Sequence, residues 1–326
     1  MKALVVGASG HVGNAITRAL LDRGWEVTAG GRRAMPLNLE GLPIRYLRGD
    51  ADSPGQLEAW VAGHDLVVDG AAPYPMSLIF PGRDPEPDPF SSAEIRTRRF
   101  IDAALKHDAQ LAYVGSFVTQ VRPHTEAQRM RAQLIRLALP YFEVKELIEA
   151  QLLDASRRGL RAIIMNPTYC LGPWDLHDRR MCSIPLLLCG EIPGRVAQMV
   201  NVIDVRDVSA GLLAAIEGER YGEPLLMTGH TLSTEEFYTL VCGIGGVPMP
   251  RLTSATDSAM LTAYLTEMIF NMVGQQVQII SAGMMMATAI DYLDRHSAVR
   301  DLGITPRALS ETVSDAIAWY RAIGYC

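Results

Sequence analysis

The chain has 326 residues, of which 48% are hydrophobic and 20% charged, with a formal net charge of −6. That length allows a large buried core. The acidic balance excludes an extended nucleic-acid surface, because the basic residues come as pairs (Arg32-Arg33, Arg98-Arg99, Arg157-Arg158, Arg179-Arg180) and not as runs.

The chain opens on a short apolar run, Ala3-Leu4-Val5-Val6, which reads as a buried parallel strand. Gly7-Ala8-Ser9-Gly10-His11-Val12-Gly13 follows directly, a G-x-x-G-x-x-G turn. Val12, Ala15, Ile16, Ala19 and Leu20 then fall on one helix face, and Gly24 closes the helix in a left-handed cap. Residues 26–30 make a second strand. Strand, glycine turn, helix and strand form the unit in which backbone N–H groups at a helix start hold a pyrophosphate. Gly7, Ser9, Gly10, His11, Val12 and Gly13 are therefore expected to bind a dinucleotide. Further strands are predicted at 44–47, 66–69, 110–114 and 161–165, alternating with helices of about ten to twenty residues, as parallel crossovers require. The fold expected is α/β: a doubly wound parallel Rossmann sheet with a smaller C-terminal substrate-binding region. Residues 1–166 plus 196–228 would form the dinucleotide-binding domain, and 167–195 plus 229–326 the substrate-binding region.

Pro81–Pro89 carries too many prolines for a helix or central strand and reads as a surface loop. Beyond Pro167, segments broken by Gly and Pro replace the alternation. Residues 200–205 read as one more strand and 208–217 as a helix, the two rejoining the main sheet. The Met-rich stretch 259–293 is interrupted by Glu267, Asn271, Gln275, Gln276 and Gln278, so no window spans a bilayer and no membrane partner is expected. It reads as amphipathic helices, over an apolar pocket or as ordinary core. Five cysteines without metal-type spacing read as reduced thiols, and the first strand begins at the N-terminus with no signal peptide ahead of it. Both point to a cytoplasmic protein. The histidines have no ligand spacing, and no metal is expected.

Tyr141-Phe142-Glu143-Val144-Lys145 places a phenol and an ammonium four residues apart, on one helix face, with Pro140 at the helix opening. At about 4 Å and an effective dielectric near 20, such a charge is worth roughly 4 kcal/mol, about three units of phenol acidity before solvation offsets it. Ser116, just past the 110–114 strand, stands at the carboxyl edge of the sheet, where this fold places its chemistry. Ser116, Tyr141 and Lys145 are the predicted catalytic residues. Pro73, Tyr74, Met76, Phe117, Tyr169 and Trp174 supply an apolar, aromatic pocket for substrate. The second predicted strand ends in Gly30-Gly31 and not in a carboxylate, and Arg32 and Arg33 follow. Guanidiniums there suit a 2′-phosphate, so NADP(H) is expected over NAD(H).

These motifs resemble the extended short-chain dehydrogenase/reductases, within them the dihydroflavonol-reductase-like members of the epimerase/dehydratase group. The wide glycine spacing is typical of that family. Gly49-Asp50 with Ala51, Gly70-Ala71-Ala72, Thr97 with Ala103-Ala104, Asn166-Pro167-Thr168, Leu171-Gly172-Pro173, Asn201–Asp207 and Leu302–Pro306 with Trp319 are similar to its remaining segments. The resemblance implies cofactor contacts from Asp50, Ala51, Ala71, Ala72, Asn166 and Pro167 as well as from Tyr141 and Lys145. It also implies a homodimer formed through the helix of Tyr141. Gly70 and Arg99 depart from the pattern, and Gly115 stands where a Ser or Thr is frequent, a change expected to enlarge the site. The activity implied is NADPH-dependent reduction of a hydrophobic or aromatic carbonyl compound. A nucleotide-sugar epimerase or dehydratase is the alternative, with Arg179, Arg180 and Arg195 available to a diphosphate. A non-catalytic cofactor-sensing regulator would need neither Tyr141 nor Lys145.

Overall fold

A computed structural model describes residues 1–53, 55–72, 88–192, 194–254, 265, 289–293 and 297–326. Pro73, Tyr74 and Met76, residues 81–87 of the proline loop, and most of 259–293 lie outside the described residues.

Seven strands form the main sheet: β1 (Lys2–Val6), β2 (Glu26–Gly31), β3 (Arg45–Arg48), β4 (Leu66–Asp69), β5 (Gln110–Val114), β6 (Ala162–Pro167) and, after two further strands and a pair partner, β10 (Pro224–Met227). Their spatial order is β10-β6-β5-β4-β1-β2-β3, and every pair is parallel. The chain leaves β1 towards β3 and then returns to the other side of β1 as β4. The crevice of a doubly wound sheet therefore opens at the carboxyl ends of β1 and β4.

Strand alternation splits the core into two layers. Ala3 and Val5 face α1 (His11–Asp22) and α7 (Val205–Glu217), where Ile16, Leu20, Val208 and Leu212 pack. Leu4 and Val6 face the other side, with Phe100, Ile101 and Ala104 of α3 (Pro89–Lys106) and Val144, Ile148 and Leu152 of α5 (Tyr141–Arg157). A fully buried aliphatic side chain contributes roughly 1.5–3 kcal/mol, against roughly 0.2–1 for an exposed pair such as Arg98–Glu94. These two layers, not the surface charges, hold the sheet. Pro89, the last proline of the predicted loop, begins α3, where its missing N–H costs nothing. The Asp88 carboxylate caps it by accepting from the amides of Phe90 and Ser91 at 3.3 and 3.2 Å.

The 200–205 strand is present as β9 (Met199–Asp204), but it does not rejoin the main sheet. It is the centre of a second sheet, parallel to β7 (Tyr169–Leu171) and antiparallel to β11 (His230–Ser233). The strand that completes the main sheet is β10, a four-residue apolar run too short to show a period. A parallel pair, β8 (Gly194–Val196) with β12 (Leu252–Ser254), lies apart from both sheets. Near the second sheet, α6 (Ser183–Leu188), α8 (Thr234–Gly245) and α10 (Leu309–Ala322) bury Leu187, Phe237, Val241, Ile317 and Tyr320 together. The helix expected from 208 starts at Val205, because the Asp204 carboxylate caps it by accepting from the Arg206 amide at 2.8 Å.

A Cβ added at Gly13 would stand 2.2 Å from the Gly7 carbonyl oxygen, so Gly13→Ala forces the backbone apart. The expected loss is about 1–3 kcal/mol, read as a lower thermal midpoint of the purified variant; an unchanged midpoint contradicts this packing.

Candidate active site

The turn after β1 closes through its own backbone. Gly7 has φ +86°, and its amide donates to the Gly30 carbonyl at 3.1 Å. A Cβ there would meet the Gly70 carbonyl carbon at 2.7 Å. Gly10 is the N-cap of α1 and offers no side-chain cap. The Asn14 amide donates to the Gly10 carbonyl at 2.8 Å, and the amides of His11, Val12 and Gly13 precede it in the open first turn. The donor set and the absence of side chains fit a dinucleotide diphosphate. Two buried asparagines brace the turn. Asn14 Nδ2 donates to the Asn38 carbonyl at 3.0 Å, and Asn38 Nδ2 donates to the carbonyls of Ser9 and Trp174 at 3.0 and 2.9 Å. Neither belongs to a recognisable motif, and only the folded chain brings them together. His11 is buried with Nε2 unpartnered among the described residues; burial lowers its pKa, partly opposed by Asp175.

At the far end of the crevice, Gly30 and Gly31 are needed for packing. Their Cβ atoms would stand 2.7 Å from the Trp60 ring and 2.9 Å from the Tyr46 hydroxyl. That hydroxyl donates to the Arg33 carbonyl at 2.9 Å, and the side chains of Arg32 and Arg33 are exposed just beyond β2. The Asp50 amide donates to Gln56 Oε1 at 2.8 Å, with Ala51 buried beside it. The Ala71 amide donates to Asp69 Oδ1 at 3.1 Å, and Ala72 packs on the α3–α5 core layer.

Ser116 follows β5 and is buried. Its amide donates to Asn166 Oδ1 at 3.1 Å, and its carbonyl oxygen lies 3.2 Å from Thr119 Oγ1. Gly115 does not enlarge the site. A Cβ there would meet Asn166 Oδ1 at 2.2 Å, so the space is filled by the amide that holds Ser116. Asn166 has both Nδ2 protons engaged, to Thr119 Oγ1 at 3.0 Å and Glu149 Oε2 at 2.6 Å. Its side chain is thus a brace within the sheet, and Pro167 ends the same strand. Glu149 is the principal residue that motif reading missed. It lies one turn beyond Lys145 on α5, is buried, and also accepts from Thr119 at 2.7 Å and Gln120 at 3.1 Å. The sequence signal was a carboxylate four residues after Lys145, on the same helix face.

Tyr141 is the first residue of α5 and is buried, packed with Phe117, Val118, Leu139, Phe142, Leu226 and Ala289. Lys145, 4% exposed, places Nζ 5.6 Å from the centre of the Tyr141 ring and 5.3 Å from that of Tyr113. Burial lowers its pKa to about 8; Asp69 opposes this, and Arg96 adds to it. Asp69 and Arg96 are themselves a buried bidentate pair, at 2.5 and 2.8 Å, with Asp52 on the Arg96 Nε at 2.9 Å. Burial, with Asp69 and Glu149 nearby, pushes the Tyr113 phenol well above its ordinary value, so it stays neutral.

The expected pocket residues are only partly gathered. Phe117 joins the Tyr141 cluster. Tyr169 stands on β7, its hydroxyl 2.8 Å from Ser183 Oγ. The Trp174 ring lies 4.5 Å from the Arg18 guanidinium of α1, with the residue at φ +72°.

The sequence model of the NAD dependent epimerase/dehydratase family matches residues 3–224. A Synechocystis protein named "Putative dihydroflavonol 4-reductase" is 28% identical, covering 98% of this chain and 95% of its own. "Sterol demethylase protein B" of Methylococcus capsulatus is 24% identical, covering 99% of both. Among solved structures, a nucleoside-diphosphate-sugar epimerase from Pseudomonas aeruginosa has a TM-score of 0.73 at 25% identity, covering 100% of this chain and 99% of its own.

The Lys145 pKa of about 8 has a stability consequence. Between about pH 8 and the ordinary lysine value of 10.5, the unfolded chain binds a proton at this position that the folded chain does not. Unfolding free energy should therefore rise with pH across that window, by up to about 3 kcal/mol. Denaturant titrations at a series of pH values should show the native chain gaining on Lys145→Met as pH rises; parallel curves for the two proteins contradict the assignment.

Proposed function

The chain belongs to the NAD dependent epimerase/dehydratase family, enzymes of the extended short-chain dehydrogenase/reductase type, and on that premise we propose that it is an NADPH-dependent reductase of a hydrophobic or aromatic carbonyl compound. The observation that carries the reading is the setting of Tyr141: a phenol in an apolar cluster with a buried ammonium against its ring. The names of the two relatives, a dihydroflavonol 4-reductase and a sterol demethylase protein, point the same way.

The amides of α1 would hold the cofactor diphosphate, and Arg32 and Arg33 its 2′-phosphate. When bound, the dinucleotide supplies the hydride. Tyr141 gives a proton to the carbonyl oxygen of the substrate, and the Ser116 hydroxyl holds that oxygen in place. Lys145 favours the phenolate that Tyr141 leaves behind and would bond the ribose hydroxyls of a bound cofactor. With a pKa of about 8 it is mostly charged at neutral pH, as this role requires. The Asn166–Glu149 brace fixes the backbone that carries Ser116.

A nucleotide-sugar epimerase is the second reading, favoured by the Pseudomonas structure. It asks for cations free to meet a diphosphate. Arg179 is paired with Glu191 at 2.6 Å and Arg195 with Glu235 at 3.2 Å, which weighs against it.

Tyr141→Phe should bind NADPH as the native chain does and lose turnover of an aromatic ketone by about 10²–10⁴-fold; near-native turnover in a stopped-flow assay of NADPH oxidation removes Tyr141 from the chemistry. Arg32→Ala/Arg33→Ala should weaken NADPH binding about tenfold or more, with NADH binding unchanged. Calorimetric titration of both cofactors decides it, and tighter NADH binding by the native chain rules the preference out.

A further inference from the structure

The five cysteines divide by exposure. Cys182 and Cys242 are buried and Cys170 is half-buried. Burial pushes the Cys170 and Cys182 thiols up to about 12, so at neutral pH almost none of either is thiolate. Cys189 and Cys326 are the two exposed thiols, and the fold brings them together. Cys189 is the C-cap of α6, and its Sγ lies 3.6 Å from the carbonyl oxygen of Tyr325, 136 positions on. That carbonyl belongs to the peptide unit that carries the Cys326 Cα. A disulfide joins residues whose Cα atoms are roughly 4.4–6.8 Å apart, and the Cys189 sulfur already touches its partner's backbone.

The two thiols also feel each other's charge. Partial burial and the neighbouring Cys189 raise the pKa of Cys326, while the guanidiniums of Arg321 and Arg179 lower it. Both cations are anchored, Arg321 on the Gly245 carbonyl at 2.8 Å and Arg179 on Glu191 at 2.6 Å. A thiolate formed in this pair therefore has countercharge beside it.

The segment that Cys326 belongs to is built into the wall behind the glycine turn. The Tyr325 ring stacks on Tyr320 at 5.9 Å, and its hydroxyl donates to the His177 carbonyl at 2.9 Å. Tyr320 donates to Asp175 Oδ2 and Trp319 Nε1 to the Asp175 carbonyl, each at 2.8 Å. The carbonyl of Trp174, one residue earlier, is the one Asn38 holds together with that of Ser9.

We propose that Cys189 and Cys326 are a peroxide-oxidised thiol pair, whose disulfide straps the segment after α10 to the end of α6. One thiolate takes an oxygen atom from a hydroperoxide and becomes a sulfenic acid, and the peroxide leaves reduced to water or an alcohol. The other sulfur attacks it, the S–S bond forms, the S–O bond breaks, and a water leaves. Two thiols thus give up two electrons and two protons. The bond lies at the surface, where a dithiol reopens it. None of this depends on the reductase reading.

The reduced full-length protein is treated with one equivalent of hydrogen peroxide. Thiol titration after denaturation should fall from five groups to three, and dithiothreitol should restore them. Peptide mapping without reductant should find residues 189 and 326 linked within a monomer. The thermal midpoint should rise by about 5 °C on oxidation, because the bond closes a long loop in the unfolded chain. Cys189→Ser and Cys326→Ser should each keep the reduced midpoint, form no intramolecular link and gain no stability from peroxide. An unchanged thiol count, thiols lost to sulfinic acids or to links between chains, or a link involving another cysteine overturns the proposal. So does an oxidised protein no more stable than the reduced one, since the bond then straps nothing.

Discussion

Three glycines meet where β1, β4 and α1 converge, and the site depends on no side chain standing between them. A Cβ at Gly7 would enter the Gly70 backbone, and one at Gly13 would enter the Gly7 carbonyl. This contact brings the start of α1 onto the carboxyl edge of the sheet, so that unpaired amides face the crevice. It also sets β4 against β1 and so fixes where Asp69, Arg96 and β5 lie. Asn14 and Asn38 maintain the geometry by satisfying the carbonyls that the turn leaves open.

Around this frame the buried charges divide into two groups. Asp69 and Arg96 neutralise each other within the α3–α5 layer. Glu149 is held by neutral donors, those of Thr119, Gln120 and Asn166. Lys145 lies near both groups and rests on two phenol rings. Its charge is costly where it stands, which lowers its pKa, and a costly buried charge is one whose effect on a neighbouring phenol water does not screen. Asp69 opposes the lowering and keeps the pKa from falling further. Site and core are thus one construction: the residues that pack α5 on the sheet also tune the ammonium it carries.

Much of this was legible in the residues. The β1–α1–β2 unit has the predicted limits to within a residue, because a buried parallel strand, a glycine turn and an apolar helix face each leave a local mark. The strand at 199–204 was legible as a strand but not as to its sheet. Its partners Tyr169–Leu171 and His230–Ser233 are short and distant in sequence, and alternation says nothing of which neighbour a strand takes. Gly115 misled for a related reason. A missing side chain signals that space is needed, and only the fold shows that Asn166, fifty-one residues on, takes it.

By itself the sequence determined the class of fold, the glycine turn after β1, and the placing of Ser116 past a strand end and of Tyr141 and Lys145 on one helix face, since each depends on residues a few places apart on one strand or helix. The tertiary structure decided the bracing of Ser116 through Asn166 and Glu149, the ion pair beneath Lys145, and the meeting of Cys189 with the peptide unit of Cys326. These depend on which surfaces meet after the chain has crossed the sheet several times, and local periodicity carries no record of that.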